Sequence, residues 1–253
     1  MTRVDLLGSG RALGRRDGRG DRAQSHVVGV ALLLGVTVVA MAAVTAGVGS
    51  TVDSGVARAD ADRAADAFAD LDAVSRTGPG SVRVEFADGT LSTVERDVRV
   101  LDGDGDVVRA VDANALVFEA GDRRVAYLAG AVVRGDRGNA WFVADPPVAA
   151  GEESVLVGAP TVGAGEPVAV GGRGRVDLDV DVAHDRETLP AGAYRLAVET
   201  ATPRPWTAYF EALGATVETR DLDGDGVESV VASFPGGRRL HLVVHALDLE
   251  VDA

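Results

Sequence analysis

An uncharged run extends from Val27 to Gly49, VVGVALLLGVTVVAMAAVTAGVG, 23 residues long. As a helix it spans roughly 34 Å, against a bilayer hydrocarbon core of about 30 Å. A buried helix of a soluble protein seldom stays uncharged for so long, because one of its faces normally meets water. The run is therefore expected to cross a membrane. Basic residues are retained on the cytoplasmic side. Arg15, Arg16, Arg19 and Arg22 precede the run, so the N-terminus is expected inside and residues 53 to 253 outside.

Charge divides along the same line. Residues 1 to 23 hold six arginines against three aspartates, whereas the rest of the chain sets 19 arginines against 36 acids. All 25 basic residues are arginine, and the net charge is −14. Abundant Asp without Lys is the pattern of an extreme halophile, where salt at 1 M shortens the screening length to about 3 Å. GC-rich codon usage is the competing explanation. Either way a surface this acidic repels phosphate, which argues against nucleic acid as a partner. The chain has no cysteine, which removes disulfides, thiolate metal sites and cysteine nucleophiles together.

After the apolar run, Asp53 to Arg76 is alanine-rich, with charges at helical spacing and a partial apolar stripe at Val56, Ala64, Phe68, Leu71 and Val74. Helix is expected to continue through it, until Thr77-Gly78-Pro79-Gly80 stops it. Beyond that the period changes from 3.6 to 2, in runs such as SVRVEFA, TLSTVERDVRVL, RVDLDVDVAH and RRLHLVVHALDLEV, which read as strands. Asp88-Gly89, Gly103-Asp104-Gly105, Gly121-Asp122, Gly135-Asp136 and Gly236-Gly237 carry the turn chemistry that joins antiparallel neighbours. Asp145 to Gly174, rich in Gly and Pro, is the weakest stretch for regular structure. A short helix is expected over Pro203 to Leu213, where proline suits the first turn. The fold class is α+β: a long N-terminal transmembrane and stem helix, then a mainly antiparallel β head domain. The domains read as 1–23, a basic cytoplasmic leader; 24–76, the membrane helix and amphipathic stem; and 77–253, the head.

Arg22-Ala23-Gln24-Ser25-His26-Val27-Val28-Gly29-Val30 resembles the class III signal of haloarchaeal type IV pilins and archaellin-like proteins. In that signal a basic and a small residue precede the cut, and an unbroken apolar helix follows. The resemblance implies cleavage between Ala23 and Gln24 by a prepilin peptidase on the cytoplasmic face. The helix would then be retained, with the lipid bilayer and other pilin subunits as its partners. His26 stands where such pilins often carry Pro, and Val28 where many bacterial pilins carry Glu. A competing reading is an ordinary secretory signal cut after Ala40-Met41-Ala42, although the apolar run continues to Gly49, past the usual length of about 7 to 15 residues. Small residues at i and i+4, such as Ala31 and Gly35, suit close helix approach in lipid. A non-polymerising, membrane-tethered binding domain is the alternative function.

Asp221-Leu222-Asp223-Gly224-Asp225-Gly226 fits the first half of a calcium loop, with carboxylates at alternate positions and glycine at the bend. Its twelfth position is Ala232, so Glu228 would have to close the shell. The metal candidates are thus Asp221, Asp223, Asp225 and Glu228, with calcium the one cofactor considered; an acidic hairpin turn is the favoured competing reading. Asp102 to Asp106 is a poorer copy and reads as a turn. His241 and His245, four apart on an expected strand, stand roughly 13 Å from each other, and His184 has no obvious partner. Nucleophile, phosphate-loop and H-E-x-x-H signatures are lacking, so no enzymatic activity is expected.

Overall fold

The structure, a computed structural model, describes residues 20–163 and 168–252. Most of the expected basic leader, residues 1–19, lies outside the described residues. The chain divides into two units, Met1–Thr51 and Val52–Ala253.

Helix α1 runs from Gly20 to Thr77. Its side chains from Val30 to Val44 are exposed, and Leu32, Leu33, Val36, Val38, Val39 and Met41 each show about two thirds of their surface. Side chains 20–29 and 45–51 are outside the described ones. Among the described residues no helix is long and apolar enough to cross a membrane.

Among the described residues the second unit holds fourteen strands in two sheets. Its elements are β1 (Gly80–Val94), β2 (Asp97–Leu101), β3 (Val107–Asp112), β4 (Ala115–Ala120), β5 (Arg123–Leu128), β6 (Ala131–Arg134), β7 (Trp141–Ala144), β8 (Val148–Ala150), β9 (Ser154–Val162), β10 (Ala169–Gly192), β11 (Arg195–Glu199), α2 (Pro203–Ala212), β12 (Thr216–Arg220), β13 (Ser229–Ser233) and β14 (Arg238–Asp252). The large sheet has the order β7-β6-β5-β4-β1-β10-β14-β9-β8, and the small one β12-β13-β11-β2-β3. Among the described residues pairing is antiparallel except between β9 and β14. The α+β class and the mainly antiparallel β domain are as the strand periodicity predicts.

Each face of the large sheet carries its own core. One face packs against residues 57–71 of α1, through Ala57, Ala61, Ala64, Ala65, Phe68 and Leu71, which meet Val84, Leu91, Phe118, Tyr127 and Leu178. These helix positions follow the i, i+4, i+7 rhythm of a single face. That face differs from the predicted stripe at its start: Ala57 is buried while Val56 is exposed. Four alanines keep the helix surface low, and Phe68 fills the space beneath it, tilted against Tyr127 at 6.4 Å. The other face packs against the small sheet and α2, whose Trp206 and Phe210 are buried among Val98, Leu196, Val230 and Leu240. Phe142 meets Trp206 edge-on at 5.2 Å.

Two local expectations are corrected. Asp88-Gly89 is not a turn between strands but a bulge within β1, where the register shifts between Phe86 and Gly89. A Cβ at Gly89 would stand 2.6 Å from the Phe118 ring, so only glycine lets the ring cross there. The buried Asp60 of α1 accepts the backbone N–H groups of Ala87, at 2.9 Å, and Asp88, at 3.1 Å. The bulge is thereby tied to the helix. The second correction is β9, which lies in the Gly/Pro-rich stretch read as weakly structured yet is almost wholly buried. Its Pro160 is tolerated because the partner β8 reaches only to Val157, leaving no donor to be missed beyond it.

Candidate cation site and histidine pair

The acidic turn connects β12 to β13. Gly224 and Gly226 both adopt positive φ, 83° and 89°, which side chains resist. Asp221 gathers the loop: Oδ1 accepts the Gly224 N–H at 2.7 Å and Oδ2 the Gly226 N–H at 3.0 Å. Asp225 Oδ1 accepts the Val227 N–H at 2.7 Å. Oxygens of Asp221, Asp223 and Asp225 lie within 4.8 Å of one another.

Glu228 is not among them. Its carboxylate pairs with Arg137, and its carbonyl accepts the Thr200 N–H at 3.0 Å. Ala232, at the twelfth position, is fully buried in β13, so the loop has no closing ligand of the helix-bounded calcium type.

The turn instead folds over the small sheet's outer side. Leu222 packs on Leu101, Ala197 and Val231, and Asp223 Oδ2 accepts a hydrogen bond from Arg99 at 2.5 Å. Arg99 also pairs with Asp97 and stands 3.7 Å from Glu199. A second cluster results, in which oxygens of Asp97, Glu199 and Asp223 lie within 4.8 Å. Sequence reasoning missed it because Asp97 and Glu199 come from β2 and β11, far from the loop in the chain. Burial pushes the Glu199 carboxyl up, opposed by Arg96, and the carboxylates of Asp225, Asp223 and Asp97 push it further. The hydrogen bond from Arg99 holds Asp223 below its ordinary value. Arg96 and Arg99 thus face four acids, and Arg99 supplies the central positive charge that a bound cation would otherwise bring.

Asp102 forms a turn, its Oδ1 accepting the N–H groups of Asp104, Gly105 and Asp106 at 2.9 to 3.0 Å. Ala23 and Gln24 lie within α1, with side chains outside the described ones. The histidines are arranged differently from the sequence reading. His184 does have a partner: it stands opposite His245 across β10 and β14, with Nδ1 atoms 2.9 Å apart. His241 instead meets the Thr188 hydroxyl at 3.0 Å.

Fold and site together define an α+β protein in which one helix backs a mainly antiparallel β domain with a carboxylate-lined turn on its second sheet. The chain belongs to the family of unknown function DUF7289, whose model matches residues 22–250. No curated protein matches it, and no solved structure does.

Proposed function

We propose that this chain is a pilin-like surface subunit, anchored by its N-terminal helix and displaying the β domain outside the cell. The observation that carries this reading is the uncovered apolar stretch of α1 between Val30 and Val44. Nine large apolar side chains exposed in one stretch exceed what a water-soluble monomer tolerates. They call for lipid or for the helices of neighbouring subunits, the two environments that a retained pilin helix meets in turn. In the first, the chain crosses the membrane once with its N-terminus in the cytoplasm. In the second, small residues such as Ala31 and Gly35 allow close approach. The prepilin peptidase would act between Ala23 and Gln24.

Intact-mass analysis of the protein from its native membrane tests the processing, with Gln24 expected as the first residue. A start at Ala43 would mean that the helix is removed and would sink the proposal. Shearing cells tests assembly: a filament subunit is released with the sheared fraction, whereas a tethered, non-polymerising binding domain stays with the membrane.

A further inference from the structure

His184 and His245 oppose each other directly in the β10–β14 register, so both side chains project from the same face of the sheet. It is the face on which Leu247, two residues further along β14, joins the helix-side core. The rings stand at 87° with centroids 4.8 Å apart, and the two Nδ1 atoms are separated by 2.9 Å. Two nitrogens bound to one ion at about 2.0 Å lie roughly 2.8 to 3.4 Å apart, for right-angled to tetrahedral geometry. The pair is therefore spaced as two ligands of one ion.

Burial, followed by the neighbouring His184, holds the His245 imidazole below its ordinary value. The Ser75 backbone near the end of α1 engages the same imidazole, a contact of the kind that fixes ring orientation around a metal. His184 is exposed, which leaves room for water. Arg186 on β10 and Arg76 on α1 also act on His245, the latter paired with Asp72 at 2.8 Å. Both arginines oppose a dication, so only an ion with strong affinity for nitrogen would enter, and copper(II) heads that order.

We propose that His184 and His245 form a two-imidazole site for a transition-metal dication, copper(II) by preference, with water completing its shell. The site is separate from the carboxylate clusters and does not depend on the anchoring function.

The test uses the full, uncleaved chain in detergent micelles, stripped by chelator and carrying His26→Gln so that only three histidines remain. Copper(II) is titrated by calorimetry and by electron paramagnetic resonance. One ion per chain with two nitrogen donors is expected. His184→Gln and His245→Gln should each weaken binding at least tenfold, with the strand signal in circular dichroism unchanged. His241→Gln should leave binding as it was, since His241 lies about 13 Å along the strand from His245. Absence of nitrogen-bound copper, equal affinity in His184→Gln, or loss of binding in His241→Gln would each overturn the proposal and leave the pair as an N–H···N hydrogen bond.

Discussion

Two stretches of α1 differ in an unexpected direction. Residues 30–44, almost purely Val, Leu, Ala and Gly, have their large side chains exposed, whereas residues 57–75, full of Asp, Arg and Ala, bury a complete face in the domain core. Hydropathy alone would assign them the other way round. The difference shows that what buries a helix within its own chain is a face matched to a sheet, which a uniformly apolar stretch does not offer; under the proposed function its cover is a bilayer or neighbouring helices. The charged stretch even buries two carboxylates, Asp60 and Asp72, each for a different reason.

A charge placed in the apolar stretch gives the largest expected effect. Leu34→Arg should cost about 2.5 to 3.5 kcal/mol of insertion free energy at a helix centre, read as loss of the protein from the membrane fraction. The same change at exposed Asp66 should leave fractionation unchanged. If Leu34→Arg were equally silent, the two stretches would share one solvent.

Packing loss in the charged stretch comes next. Phe68→Ala should destabilise the domain by about 3 to 5 kcal/mol, measured by denaturant titration of the full chain in detergent, because Phe68 is fully buried against Tyr127. Val38→Ala, removing an exposed side chain, should not move that transition. Asp60→Ala should cost less, about 1 to 3 kcal/mol, by leaving the Ala87 and Asp88 N–H groups without their acceptor. Hydrogen exchange at those two amides should accelerate.

Asp72 gives the smallest effect and the opposite sign. Burial raises its carboxyl, with Arg76 opposing, and its Oδ1 is buried without a partner. The folded state therefore holds the proton to higher pH than the unfolded chain does. That contribution to stability is complete below the ordinary carboxylate pKa and is lost as pH rises through the folded value. Asp72→Asn should stabilise the domain at pH 7 and change little at pH 3, a pattern visible in paired thermal melts.

The sequence makes some of this legible and hides the rest for physical reasons. Periodicity finds the strands of β10 and β14 because each has a face to bury, and it finds α2 because Pro203 and Gly214 bracket it. It cannot see that the run TLSTVERDVRVL divides at Glu95-Arg96, with β1 in one sheet and β2 in the other. Alternation reports that a side is buried but not against which sheet. The buried Asp60 reads as a solvated helix charge because its partners are backbone N–H groups 27 and 28 residues away. The acidic turn is visible as a local motif. Asp97, Glu199 and the histidine pair are not, since register between distant strands brings them together.

Under the proposed function, residues 30–44 are covered by a membrane or by neighbouring helices while the domain faces outward. Because the chain has no cysteine, single cysteines can be placed at Val38 and at exposed Asp66 and challenged in intact cells with a membrane-impermeant maleimide. Rapid labelling is expected at position 66, with protection at position 38 that lasts until detergent strips the protein from its surroundings. Equal labelling at both positions in intact cells would contradict it.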